Sequence, residues 1–200
     1  TKIDDTRDYV LEQYELGHKL VNGIPTKTLV DGQDADKLFV ERDILYLKDA
    51  TETEDGGRMV IVLPKQNLSG AQEESVEFRK WLLSKVQITA IIDLPREGFQ
   101  PHTGTKTSLV FLKKVKNIPE NYPIFMAVSE AVGHDRRGNP LYKKDASGMN
   151  LLDDEGKEVI WNDLPQIYEQ WVKYTLSGTV QDVQGDHVPS CFVVNSKQIL

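Results

Sequence analysis

Three apolar runs of strand length, residues 59–63, 88–94 and 108–112, organise the middle of this 200-residue chain. The first is continuously apolar and rich in β-branched residues, as a central strand covered on both faces reads. Pro64 stops it, and Pro95 stops the second. Between them, over residues 72–86, Phe78, Trp81, Leu82 and the stem of Lys85 share one face at helical spacing. Between the second and third runs lies a polar loop with no helical pattern. The third strand is therefore expected to run antiparallel to the second, since a parallel neighbour needs a crossover of about a dozen residues.

The flanks carry further elements. Residues 11–20 read as a short helix ending at Gly17, followed by a loop over 23–33. Residues 34–49 predict a helix capped by Asp34 and buried on much of its surface. Residues 50–57 form an acidic turn, and 65–70 a loop at the carboxyl end of the first strand. Residues 124–128 predict a strand, 133–142 a tight turn, and 151–161 a hairpin around Asp154 to Gly156 without calcium-loop spacing. The last helix, 163–176, is expected to be capped by Asp163, with Pro165 in its first turn and Gly178 as its stop. Tyr168, Trp171, Val172 and Leu176 form its core-facing stripe, and 192–194 with 196–200 read as a final extended segment. No internal repeat or low-complexity tract is evident.

Composition suits a globular chain, with 39% apolar and 28% charged residues. No apolar run approaches the roughly 20 residues that span a bilayer. The lone Cys191 cannot pair internally, reads as a buried structural cysteine, and fits a reducing cytoplasm. The net charge of -7 argues against a broad basic nucleic-acid face. Yet residues 98–119 contain no Asp or Glu while Lys106, Lys113, Lys114 and Lys116 fall inside, a basic strip on an acidic body. The chain does not begin with Met and opens without a strand, as a piece of a longer polypeptide would.

Strand–helix–strand–turn–strand, with loops at strand carboxyl ends, is the second half of a doubly wound sheet, where ligands bind outside those ends. The relevant loops are residues 65–70 and 96–107. Their polar candidates are Lys65 and Asn67 on one, and His102, Thr105 and Lys106 beside Phe99 on the other. Lys113, Lys114 and Lys116 read as a solvated strand end. The four histidines (18, 102, 134, 187) are scattered, and no nucleophile–base pair or metal cluster emerges.

In order and spacing, the blocks GGRMVIVLPKQNLSG, FRKWLL, IIDLPREGFQPHTGTKTSLVFLKK and GHDRRGNPLYKK resemble the modification (methylation) subunit of type I restriction-modification systems. The resemblance covers residues 11–145 or so and implies an adenine-specific DNA methyltransferase using S-adenosylmethionine. It implies an α/β fold: half of a doubly wound methyltransferase sheet, comprising its last three strands with the final one antiparallel, plus a small α+β appendage. The corresponding parts are a lead-in at 1–33, the C-terminal half of the methyltransferase domain at 34–116, and a partner-docking extension at 117–200.

Such enzymes flip the target base out of the duplex, because its amine is unreachable inside the stack. The resemblance places Phe99 in the loop that supplies an aromatic wall; packing the loop onto the sheet is its alternative role. His102, Thr105, Lys106, Lys65 and Asn67 become candidates for phosphate or nucleotide contact. The family's glycine-rich cofactor loop and its Asn-Pro-Pro-aromatic motif are absent, so the fragment is expected to be inactive alone. Implied partners are DNA, the specificity subunit and the restriction (motor) subunit. Half a sheet exposes an edge. That edge is expected at residues 59–63, covered by the lead-in, a symmetry mate or a second chain. Two other readings stand beside this one: a non-catalytic interaction module whose segment 141–200 docks a partner, and an unrelated α/β enzyme using the same loops.

Overall fold

The computed structural model describes residues 7–180 and 189–200. A short helix α1 (Arg7–Leu11) and a 3-10 turn (Glu15–Gly17) lead into strands β1 (His18–Val21) and β2 (Ile24–Leu29), paired antiparallel. This hairpin replaces the helix and loop expected over 11–33. Its turn is Asn22–Gly23, both at positive φ (54° and 74°), the residue pair that two-residue hairpin turns favour. The Asn-Gly signal was present in the sequence.

Helix α2 (Ala35–Tyr46) buries only Lys37, Val40, Glu41 and Ile44, while Phe39, Leu45 and Tyr46 are exposed. The extensive burial expected of it is not found. The Asp34 side chain makes no cap; its backbone carbonyl accepts the amides of Lys37 and Leu38 instead. Strand β3 (Arg58–Pro64) follows, then α3 (Lys65–Ser69), a helical turn where a loop was expected. Helix α4 (Glu73–Lys85) buries Phe78, Trp81 and Leu82 as its spacing predicted, the two rings 6.2 Å apart.

Strands β4 (Gln87–Asp93), β5 (Thr107–Lys113), β6 (Pro123–Val128) and β7 (Ser190–Asn195) complete a five-stranded sheet in the order β3-β5-β4-β6-β7. The end of β4 meets the start of β5, the Leu94 amide donating to the Thr107 carbonyl at 2.9 Å. Gly57, before β3, likewise accepts from Lys114, after β5. Both junctions make β5 antiparallel to its neighbours, as expected from the missing crossover. β6 runs parallel to β4, so the C-terminal region extends the sheet and is not a wholly separate appendage. β3 is the expected edge strand. The described residues of the lead-in do not pair with it, and it alternates, with Val60 and Val62 exposed and Leu63 buried. Coverage of both its faces was the wrong expectation, because apolar continuity alone cannot distinguish a central strand from an edge.

Two compact units interleave in sequence. The first comprises the described residues up to Thr89, Val110–Pro123 and Asn195–Leu200, with Leu16, Val40, Leu63, Phe78, Trp81, Leu82 and Val110 in its core. The second comprises Ala90–Leu109 and the described residues of Ile124–Val194, with Ile91, Leu94, Phe125, Ala131 and Ile167 in its core.

In the second unit, α5 (Leu164–Ser177) buries Ile167 and Gln170, and Trp171 and Tyr174 set their rings 5.3 and 5.6 Å from Phe125. Tyr168 and Leu176 are exposed, so the expected stripe was rotated on the helix. Gly178, at φ 73°, ends the helix as expected. Asp163 is buried but is not a side-chain cap; it accepts the amides of Glu130 and Ala131. Residues Ser196–Ile199 form a 3-10 turn, not an extended segment. Cys191 is half-buried, and burial pushes its thiol up to about 11, which makes it a poor nucleophile at neutral pH.

Residues 132–162 form three short hairpins with one turn repeated. Asp135, Asp145 and Asp153 each accept, through Oδ1, the amides two and four positions on, at 2.8–3.0 Å. A glycine follows each at the third position, Gly138, Gly148 and Gly156, at φ 85°, 85° and 78°. This Asp-x-x-Gly repeat was overlooked in the sequence because its spacing is unequal. Only the hairpin around Asp154 had been expected as such. The hairpins join through closed rings of three backbone hydrogen bonds, one linking Gly133, Leu141 and Trp161, the other Lys143, Leu151 and Val159.

Candidate nucleotide-facing loop

The loop leaving β4 is closed at its base by two bonds between strand ends. Besides the Leu94–Thr107 amide bond, the Ser108 hydroxyl, fully buried, donates to Asp93 Oδ1 at 2.6 Å. Asp93 is thereby fixed at the carboxyl end of its strand, and its own carbonyl accepts the Ser129 amide at 2.9 Å. The Thr107 hydroxyl is buried beside this clamp with no hydrogen-bond partner. An orphaned buried hydroxyl costs about 1–3 kcal/mol.

Above the clamp, Arg96–Phe99 form a 3-10 turn inside the span expected to be irregular. The loop then bonds to itself. The Thr103 amide donates to the Phe99 carbonyl at 3.1 Å, and the Thr105 amide to Thr103 Oγ1 at 3.2 Å. The peptide bond from Gln100 to Pro101 is cis. Phe99 is 38% exposed, and His102, Thr105 and Lys106 are exposed. The loop is a supported protrusion from the second unit, with its aromatic ring and polar side chains available to solvent.

The other two candidates lie in the first unit. Asn67 is buried, and its amide donates to Asp36 Oδ2 at 2.7 Å, which ties α3 to α2. Lys65 is half-buried and engaged. Sequence proximity to a strand end selected both residues, but could not show that Asn67 is occupied in holding helices together.

The basic strip resolves in the same way. Lys113 meets Asp55 at 2.6 Å, Lys114 meets Asp49 at 2.6 Å, and Lys116 meets Glu52. The acidic turn over 50–57 and its neighbour Asp49 neutralise those lysines, which leaves Lys106 as the strip's cation without a carboxylate partner among the described residues. A groove of about 740 Å³ in the first unit is also lined by lysines, but Lys80, Lys85, Lys116 and Lys197 are each paired with an acid, respectively Glu77, Glu15, Glu52 and Glu120. Among the described residues no group of three His, Cys, Asp or Glu is placed to hold a metal, and no helix is long and apolar enough to cross a membrane. His187 lies outside the described residues.

The structure is an α/β fold in which antiparallel β5 lies between β3 and β4 and is entered through an exposed loop. The chain belongs to the N-6 DNA methylase family, whose model matches residues 24–159. A chain from a study of complex assembly and conformational transition in the type I R-M system aligns with a TM-score of 0.55 and 19% identity, over 85% of this chain and 30% of its own. The type IIG restriction endonuclease BpuSI aligns with a TM-score of 0.54 and 14% identity, over 100% of this chain and 18% of its own. The methyltransferase subunit of the type I restriction-modification system from Streptococcus thermophilus aligns at 0.46 and 22% identity, over 78% of this chain and 26% of its own. The chain thus spans less than a third of the length of each. Comparison with curated proteins finds no match.

Proposed function

We propose that the chain is the base-holding part of an adenine-specific DNA methyltransferase of type I restriction-modification systems. The whole protein would transfer a methyl group from S-adenosylmethionine to the exocyclic amine of adenine. The observation that carries this reading is the exposed Phe99–Lys106 loop on a clamped strand pair, within a segment matched by the N-6 DNA methylase model. A phenyl face offered to solvent can stack an extruded base, worth about 1–3 kcal/mol. His102, Thr105 and Lys106 supply donors to the adjoining nucleotide or phosphate. Lys65 and Asn67 remain weaker candidates, and Asn67 would have to release Asp36 to take part.

S-adenosylmethionine is the family's cofactor. The glycine-rich turn of such sheets follows their first strand; in this chain β3 and β4 run instead into Pro64 and Leu94–Pro95. Neither strand end offers the glycine-rich turn with free amides that would hold the cofactor. The isolated chain is accordingly inactive on this reading, works in the cytoplasm, and is completed by further polypeptide and by the specificity and restriction subunits.

The test is duplex DNA with 2-aminopurine at the target adenine, titrated with this chain. Fluorescence should rise as the base leaves the stack, and Phe99→Ala should abolish the rise without unfolding the protein. No rise with wild-type chain that does bind the duplex would overturn the reading. Calorimetry with S-adenosylmethionine should show no binding at millimolar ligand; saturation at micromolar ligand would refute the missing cofactor site.

A second reading, a subunit-interaction module, is favoured by exposed Met149, Leu152, Ile160, Tyr168 and Leu176 in the C-terminal region. The two are compatible. A variant with Tyr168→Ser and Leu176→Ser that keeps the base signal but loses the partner subunits would assign docking to this region.

A further inference from the structure

We infer that the first of the three repeated hairpins, tipped by Arg136 and Arg137, grips the phosphate backbone of duplex DNA. The inference rests on the reading above for the identity of the polyanion, and on the hairpins for the place.

The three turns share one hydrogen-bond pattern. In each, the aspartate's amide donates to the carbonyl four positions on (2.8–2.9 Å), and the glycine's amide donates back to the aspartate carbonyl (3.0 Å). The two residues after the aspartate sit at the tip. They are Arg136–Arg137 in the first hairpin, Ala146–Ser147 in the second and Asp154–Glu155 in the third. One scaffold therefore presents three charge types. Residues 133–144 hold four Lys or Arg and one Asp, net +3; residues 145–158 hold five Asp or Glu and one Lys, net -4. This polarity orients the basic hairpin, not its neighbours, toward a polyanion.

The arginines are available. Both are exposed, and neither forms an ion pair or side-chain hydrogen bond among the described residues. Among the described residues, Lys37, Lys48, Lys80, Lys85, Lys113, Lys114, Lys116, Lys157 and Lys197 each meet a carboxylate. The nearest acid in sequence, Asp135, spends Oδ1 on the amides of Arg137 and Asn139, and Oδ2 on the Asn139 side chain at 3.1 Å. Its carboxylate fixes the turn and feels the Arg137 charge through space, but it takes no hydrogen bond from either guanidinium fork, which leaves both for phosphate, whose shape they match. A tip held by its own turn also loses little conformational freedom on binding.

The experiment is fluorescence anisotropy of this 200-residue chain with a labelled, arbitrary-sequence DNA duplex, between 50 and 200 mM NaCl. Each phosphate contact contributes about 0.9 to the slope of log K against log salt. The double variant R136S/R137S should reduce the slope by about 1.8 and weaken binding most at low salt. R136K/R137K should restore most of the slope, and D154S/E155S should not reduce it. Circular dichroism would establish that the turns persist in each variant. A slope unchanged in R136S/R137S would overturn the inference, as would absence of duplex binding at 50 mM NaCl or arginine-dependent binding to heparin without binding to DNA. Base extrusion is read separately, through 2-aminopurine and Phe99, so a failed hairpin with an intact base signal leaves the proposed function standing.

Discussion

Glu77 Oε2 on α4 accepts the amide of Gly23 at 2.7 Å, 54 positions earlier in the chain. The bond secures the tip of the first hairpin to the helix that carries Phe78 and Trp81. Glu41 on α2 does the same for the hairpin's entry, accepting the amides of Glu15 and Leu16 at 2.8 and 2.9 Å. Two helix carboxylates thus satisfy the amides of a segment whose sequence suggested a helix.

Gly23 is doubly constrained by this arrangement. Its φ is 74°, and a Cβ there would lie 2.8 Å from backbone atoms of Lys80 and Trp81. Gly23→Ala should destabilise the first unit by at least the roughly 1–3 kcal/mol of left-handed strain. A urea unfolding curve with an unchanged midpoint would contradict this.

The same carboxylates predict a stability maximum in acid. Burial pushes Glu77 up, but Lys80 and the Gly23 amide outweigh it and hold the group below its ordinary 4.5. Burial likewise pushes Glu15 up, and Lys85 and the Trp81 indole bring it below 4.5. The stabilisation from both is present above 4.5 and is lost as pH falls through their lowered values. Glu41 is the reverse: burial, only partly offset by the two amides, raises it above 4.5. Ionised Glu41 costs stability, which is regained as pH falls through its raised value. Urea midpoints should therefore rise slightly toward 4.5 and fall below it; Glu41→Gln should flatten the upper limb and Glu77→Gln weaken the lower one. Parallel curves for all three proteins would exclude these groups as the cause.

Asp163 is 1% exposed and accepts the amides of Glu130 and Ala131 at 2.6 and 2.9 Å, and the Trp161 indole at 3.1 Å. Asp163→Asn turns one acceptor into a donor facing donors, and should cost about 1–3 kcal/mol. Thermal unfolding followed by tryptophan fluorescence should show the lower transition. A melting temperature equal to wild type would mean the carboxylate is dispensable.

The β3 edge exposes Val60 (54%) and Val62 (41%). Exposed apolar edges pair with other chains, and lysines block them. Sedimentation velocity should show association rising with concentration, suppressed in V60K/V62K at little cost in stability. A wild-type chain that stays monomeric throughout would remove edge pairing as a route to assembly.

Local pattern located the middle of the chain well. The runs at 59–63, 88–94 and 108–112, the helix between the first two, and the antiparallel sense of β5 are each set by near-neighbour chemistry: β-branched runs, prolines that stop them, and a connection without the α-helix that a crossover uses. The candidate loop was equally visible, since its polarity and lack of acids mark it out between two strands. Its actual support was not visible. The Ser108–Asp93 bond joins residues 15 apart, and nothing in either residue's neighbourhood requires it.

What the sequence determined by itself, then, is the elements whose causes lie within a few residues, together with the family to which their order belongs. The tertiary structure decided which faces are covered and which charges are free. α2 and α5 bury different residues than their apolar positions suggested, because burial depends on where another element lies, not on the helix alone. Lys113, Lys114 and Lys116 read as a solvated strand end, whereas the fold brings Asp55, Asp49 and Glu52 to them from more than 50 positions away. The guanidinium donors of Arg136 and Arg137 stay open because the oxygens of the nearest carboxylate, Asp135, are taken by the Arg137 and Asn139 amides and the Asn139 side chain. Coulomb attraction and hydrogen bonding act through space, so only the fold shows which charged groups are already satisfied.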